Sequence, residues 1–220
     1  MLVGWHAPLQ SKICLNHHIQ HPVIEDRMAR LRQRDCPPSD FRGYVRTISQ
    51  LMVPSVTANL LTLPIEVETP MEITTGRKLQ RDIILAPVLR AGLGMLDGFL
   101  DLLPEASVAH VGLARNEDTL QPECYYHKSP EHIADGDVIV LDPMLATGGS
   151  ASAAIAELKK QGARHLSFAC LVAAPEGLGR INHDHPDVAV YYPALDNRLN
   201  EHGYILPGLG DAGDRIFGTP

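Results

Sequence analysis

At 220 residues and a formal net charge of -7, the chain has the length of one domain and enough residues to bury a full core. Hydrophobic residues make up 45% and charged residues 20%, an ordinary globular balance, and no apolar run approaches membrane-spanning length. The acidic balance argues against broad nucleic-acid binding, which wants a basic face. The first ten residues lack the basic start and apolar core of a signal peptide, so no membrane is expected and the cytoplasm is the expected location. Cys14, Cys36, Cys124 and Cys170 make no C-x-x-C pair and read as free thiols.

Residues 1–40 are the least readable: Trp5, Asn16-His17-His18 and His21-Pro22 show no clean period. A helix is expected over 22–32, with Val23, Met28 and Leu31 inward. Cys36-Pro37-Pro38-Ser39 breaks the chain, and Ser39 or Asp40 is a fair N-cap for a helix from 41 to about 53. Residues 65–69 alternate like a half-exposed strand, and 73–77 read as a turn.

From Asp82 the pattern changes. Buried-type strands are expected at 83–88, 108–113, 138–141, 165–174 and 188–192, with another strand at 123–128. Helices are expected at 95–103, after Ser150 up to Gly162, and at 175–183. On the second of these, Ala153, Ala154, Ile155 and Leu158 face inward and Glu157, Lys159, Lys160 and Gln161 outward. Strands alternating with helices imply an α/β fold around a mainly parallel sheet flanked by helices. There is no repeat or convincing linker, so 1–220 reads as a single domain.

The run Val138-Ile-Val-Leu-Asp-Pro-Met-Leu-Ala-Thr-Gly-Gly-Ser150 joins a buried strand to a helix through small residues. Free backbone N–H groups and the positive end of the helix dipole make such a junction an anion site, to which Thr147, Ser150 and Ser152 add hydroxyls. Arg90-Ala-Gly-Leu-Gly94 and the polar stretch 115–119 also follow strands, at the edge where α/β sheets bind ligands. Other conspicuous residues read as structural. His183-Asp-His185 suits a solvated loop, and the pairs Tyr125-Tyr126 and Tyr191-Tyr192 suit strand packing. Cys124 and Cys170 suit small apolar positions within strands.

The loop Asp142-Pro-Met-Leu-Ala-Thr-Gly-Gly-Ser150 resembles the phosphoribosyl-diphosphate loop of type I phosphoribosyltransferases, in the form found in the uracil enzymes. Pro87-Val-Leu-Arg-Ala-Gly-Leu-Gly-Met95, Arg115-Asn-Glu-Asp-Thr-Leu-Gln-Pro122, Leu171-Val-Ala-Ala-Pro-Glu-Gly177 and the long block from Leu199 to Thr219 agree with it. Upstream of Ile84 only His21-Pro22 and Phe41-Arg42 match, so 1–40 is a divergent N-terminal segment. The resemblance implies a Rossmann-like phosphoribosyltransferase fold with a flexible β-hairpin hood at about 113–128. It implies transfer of the phosphoribosyl group of 5-phosphoribosyl 1-diphosphate (PRPP) to uracil, giving UMP and pyrophosphate, in pyrimidine salvage.

By the same resemblance PRPP contacts Arg90, Arg115, Asp142, Pro143, Met144, Leu145, Ala146, Thr147, Gly148, Gly149, Ser150 and Asp211. Uracil contacts Ile205, Gly210, Asp211 and Ala212, and Asp211, Arg115 and Asp142 are the catalytic candidates. Where many type I enzymes carry two adjacent acids, Pro143 follows Asp142, so Mg2+ is expected on the substrate's diphosphate and no protein-held metal is expected. The family also implies a homodimer or homotetramer, with GTP as a candidate effector. A nucleotide-sensing RNA-binding protein on the same fold is the alternative from another class, and the absence of a basic stripe counts against it. A third reading is the same fold acting on another base, against which the block 200–213 counts.

Overall fold

The computed structural model describes residues 16–115 and 122–219, with the backbone only at Arg115 and Pro122. The chain enters as strand β1 (Asn16–His18) and helix α1 (Pro22–Leu31). His21 caps α1 by accepting the Val23 N–H at 3.2 Å, and Pro22 fills the first turn, where no N–H is needed. The buried stripe of α1 is Ile24, Met28 and Leu31, while Val23 is 42% exposed. The expected inward position was therefore one residue early: spacings of four and three keep one face, and Val23 falls off it.

Helix α2 (Pro38–Thr57) starts three residues before the expected Phe41 and runs through Pro54. Its stripe of Phe41, Val45, Ile48, Met52 and Val56 continues past the proline, so burial outweighs the interrupted backbone bond. Strands β2 (Thr62–Glu68) and β3 (Ile73–Leu79) pair antiparallel from Thr62 with Leu79 to Glu68 with Ile73. The expected turn at 73–77 is therefore strand. The turn sits at 69–72, where Thr69 Oγ1 accepts the Met71 and Glu72 N–H groups.

Beyond them lie β4 (Ile83–Leu89), α3 (Leu93–Leu100), β5 (Ser107–Val108), β6 (His110–Arg115) and β7 (Pro122–Lys128). Next come β8 (Asp137–Leu141), β9 (Met144–Leu145), α4 (Gly149–Lys160), β10 (His165–Ala169) and β11 (Val172–Ala173). The chain continues through α5 (Pro175–Asp184), β12 (Ala189–Tyr192), β13 (Ala194–Leu195), β14 (Arg198–Leu199), β15 (Ile205–Leu206) and α6 (Ala212–Phe217). The main sheet runs β1-β12-β10-β8-β4-β6-β7, with β5 also paired to β4. Every neighbouring pair is parallel except β6 with β7, which form an antiparallel hairpin at one edge. The expected α/β fold is present.

Alternation along the central strands feeds two cores. Leu85, Ile139 and Leu141 meet Ile24, Phe41, Met52 and Met95 from α1, α2 and α3 on one face. Ile84, Val138 and Val140 meet Ala154, Ile155, Leu158 and Ile181 from α4 and α5 on the other. With both faces covered, the strands read as continuous apolar runs. Asn16-His17-His18, without a period of its own, is a strand because β12 offers an edge; His17 stacks on Tyr191 with ring centroids 4.5 Å apart.

The expected strand at 165–174 is two pieces. Leu171 and Val172 donate their N–H groups to the Pro143 carbonyl, and β11 then pairs with β9 and β13 in a small second sheet. Cys170 packs in the core as a small apolar residue, as expected, but at that break rather than within a strand, whereas Cys124 lies in β7 as expected but exposed. Among the described residues, no helix is long and apolar enough to cross a membrane.

Candidate active site

β8 delivers the chain to the carboxyl edge of the sheet at Leu141, and α4 begins eight residues later. Gly148, at φ 75°, turns the backbone into the helix and brings no capping side chain of its own, while Thr147 Oγ1 accepts the Gly149 N–H at a long 3.4 Å. The first N–H groups of α4 are thus directed into the loop, as an anion site requires. Beneath the loop, α5 packs so closely that a Cβ on Gly177 would lie 2.6 Å from the carbonyl oxygens of both Leu145 and Ala146. Nothing in the patterning of the sequence marks Gly177 as the residue that shapes this loop.

Asp142 is half-buried at the head of the loop. Burial, and more weakly the neighbouring Asp211 carboxylate, push its pKa up from 3.8 to about 7, against a backbone hydrogen bond from Met144. Ser152 does not face the loop. Its hydroxyl donates to Asp184 Oδ2 at 2.7 Å and lies 3.2 Å from His185 Nε2, tying α4 to the end of α5. The expectation of a solvated 183–185 loop therefore fails for His185, which is buried, and Ser152 adds no donor to the phosphate loop. Hydrogen bonds from His183, Ser152 and Arg180 hold the Asp184 carboxyl well below the usual range.

The C-terminal block folds back over the same edge. A cis Leu206–Pro207 bond and positive φ at Gly208 and Gly210 lead into Asp211, whose side chain caps α6 by accepting the Asp214 N–H at 2.9 Å. Arg32, from the end of α1, grips Asp196 with two bonds of 2.7 Å and donates to the Gly208 carbonyl, while Asp196 accepts the Gly208 N–H. Arg215 donates to the Leu209 carbonyl and lies over the Phe41 ring at 4.4 Å. The ties from Arg32 to Asp196 and Gly208, and the stacking of Arg215 on Phe41, span residues far apart in the chain, so local pattern could not reveal them.

Loop and tail meet around a cavity of about 220 Å³, lined by Asp142, residues 144–151, Ala91 and residues 211–213. The family model for uracil phosphoribosyltransferase matches residues 18–219. The chain belongs to the uracil phosphoribosyltransferase family. Relatives of that name in Dictyoglomus thermophilum and Acholeplasma laidlawii are each 51% identical, covering 91% of this chain and 98% and 97% of theirs. The solved structure of the AQ2163 protein from Aquifex aeolicus is similar at a TM-score of 0.86 and 35% identity, over 92% of this chain and 97% of that one.

In this uracil phosphoribosyltransferase-family chain the expected residues are not equally placed. Asp142, Met144, Leu145, Ala146, Thr147, Gly148, Gly149, Ser150, Asp211 and Ala212 line the cavity. Pro143 is buried behind it, engaged through its carbonyl. Ile205 is buried and Gly210 exposed, both outside the lining. Arg90 follows a cis Leu89–Arg90 bond and points outward, 3.3 Å from Asp214 Oδ1 and over the Phe217 ring at 5.8 Å. The backbone of Arg115 ends β6; its side chain and residues 116–121 lie outside the described residues. Among the described residues only Asp142 and Asp211 bring carboxylates to the cavity, a donor set that suits a magnesium ion held mainly by diphosphate oxygens and water.

Proposed function

We infer that this cavity joins PRPP to uracil, releasing pyrophosphate and forming UMP, as expected of an enzyme of uracil salvage. The observation that carries the reading is that one cavity draws its wall from both the phosphate loop and the Gly-rich tail. The 5-phosphate sits on the backbone and hydroxyls of residues 146–150 at the start of α4. Asp142 takes the ribose hydroxyls, and Arg90 and Arg115 take the diphosphate, Arg90 by leaving Asp214 and swinging inward. As the bond from ribose C1 to the diphosphate breaks, positive charge grows on the sugar and negative charge on the leaving group. Donors fixed beforehand on the diphosphate therefore do more than a nucleophile would. Mg2+, held by the diphosphate, supplies the remaining charge neutralisation.

Uracil presents carbonyl oxygens and N–H groups on one edge, and the backbone of residues 210–212 offers the complementary groups, with Asp211 close to the reacting sugar. Cytosine carries an amine in place of one carbonyl and leaves two donors facing each other, so it is rejected. The antiparallel hairpin β6–β7 serves as the hood that excludes water. We place the enzyme in the cytoplasm as a homo-oligomer, with GTP as its candidate effector. Purified enzyme given uracil, PRPP and Mg2+ should release UMP and pyrophosphate, and cytosine should give less than about a hundredth of that rate. Product from guanine or hypoxanthine and none from uracil would overturn the assignment.

A further inference from the structure

The hood carries a feature that the phosphoribosyl reaction does not use. In the β6–β7 pairing Gly112 faces Tyr126 while the next residue, Leu113, faces Cys124, so Tyr125 is an extra residue without a partner. In a regular strand, residues three apart point to opposite faces. The bulge removes that reversal and puts Cys124 and His127 on the same face. Helix α4 packs against β7, and its Glu157 meets this pair: Glu157 Oε1 lies 3.6 Å from His127 Nδ1, and one ligand atom from each of the three residues lies within 4.8 Å of the others. Glu157, expected on the outer face of α4, has only 15% of its side chain exposed.

We propose that Cys124, His127 and Glu157 form a three-ligand site for a borderline divalent transition metal of the Zn2+ class, at the base of the hood. A thiolate, an imidazole and a carboxylate are a ligand set that Zn2+ accepts and hard Mg2+ does not, so the two ions do not compete for it. Zinc–ligand bonds of about 2.0 to 2.3 Å place tetrahedral ligand atoms roughly 3.5 Å apart. The His127–Glu157 pair already has that spacing, and the wider separations close by movement of the exposed Cys124 and His127 side chains. Gln161 Nε2 donates to Glu157 Oε1 at 3.1 Å and orients the carboxylate, as outer ligands of metal sites do. Lys160, 3.8 Å from Glu157 Oε2 and 80% exposed, swings into solvent as the ion enters. Three protein ligands leave the fourth position to water.

The location gives the ion a consequence. β7 is the return strand of the hood, and α4 is the helix whose first turn forms the phosphate loop, so bound metal clips one to the other. The test uses full-length, tag-free protein, stripped of metal and kept reduced. Titration with Co2+ should saturate at one equivalent with a thiolate-to-cobalt charge-transfer band, which Zn2+ then displaces. Cys124→Ser should abolish the band, and Cys124→Ser and Glu157→Gln should each weaken Zn2+ binding by at least about tenfold. Cys36→Ser should keep both band and affinity. Zn2+ should raise the melting temperature of the wild type and leave that of Cys124→Ser unchanged. Circular dichroism of each metal-free variant identifies any that fails to fold, and His127→Gln then replaces it. No charge-transfer band at stoichiometric Co2+, or a band and affinity that survive Cys124→Ser, would overturn the site.

Discussion

Asp142 is where stability and function oppose each other. In the unfolded chain its carboxyl titrates near 3.8, and in the folded protein near 7, chiefly through burial. The folded state therefore binds this proton more tightly. The stabilisation it contributes is complete below about pH 4 and is lost as pH rises through 7. Asp142→Asn mimics the neutral group and can still accept the Met144 N–H. At pH 8 it should melt at least about 2 °C above the wild type, a gap that closes toward pH 4, while turnover falls about tenfold or more. Calorimetry at the two pH values checks the first part; equal melting points at pH 8 would contradict it. Asp211 gives a second comparison at this scale. Asparagine caps a helix as well as aspartate, whereas alanine costs about 1 kcal/mol. Asp211→Asn should therefore keep its melting temperature and lose most of its turnover, and Asp211→Ala should lose both, read by thermal melts beside initial rates. Both aspartates were legible in the sequence because they lie inside contiguous motifs. The Ser152–Asp184–His185 contact was not, since it joins two helices whose own patterns carry no sign of each other.

At the scale of elements, the buried strands and amphipathic helices were legible wherever one period persisted, as in β4, β8 and α4. Errors fell where a neighbour decided the outcome. β1 is a strand because β12 offers an edge, and α2 continues past Pro54 because its buried stripe does. The register shift in β7 appears only when it is paired with β6. Helix α5 holds a contrast that sequence cannot show, between two glycines two positions apart. A Cβ at Gly177 would strike the backbone carbonyls of Leu145 and Ala146, whereas at Gly179 nothing lies within 4 Å. Gly177→Ala must push the phosphate loop and should cost about 1 to 3 kcal/mol, with a higher KM for PRPP. Gly179→Ala should stabilise by about 0.5 to 1 kcal/mol through helix propensity alone, with unchanged kinetics. Chemical denaturation and steady-state kinetics on the pair measure how closely α5 supports the loop; equal effects from the two substitutions would remove that role.

For the whole molecule, the unresolved demand is apolar surface on the β2–β3 hairpin. Leu63, Ile65 and Val67 alternate onto one face, opposite Lys78, Gly76 and Thr74, and Leu63 is 41% exposed. Ile73 and Leu79 add exposed apolar area on the reverse face, and Met71 at the turn is 91% exposed. A two-stranded ribbon in water is marginal by itself, and large apolar side chains gathered on one ribbon are uncommon on a monomer's surface. A second copy of this chain is the occupant that fits the homo-oligomer proposed above, because a twofold interface places each ribbon against its equivalent or against the partner's sheet. Charge placed on the apolar face has no counter-charge in a symmetric contact, so the double substitution Leu63→Asp, Val67→Asp should break the assembly. Sedimentation velocity should find the wild type as a dimer or larger and the double variant as a monomer. The same variant should melt lower at high protein concentration, where the wild type gains stability from association. A wild type that sediments as a monomer across the micromolar range would show that the hairpin face is not a self-association surface.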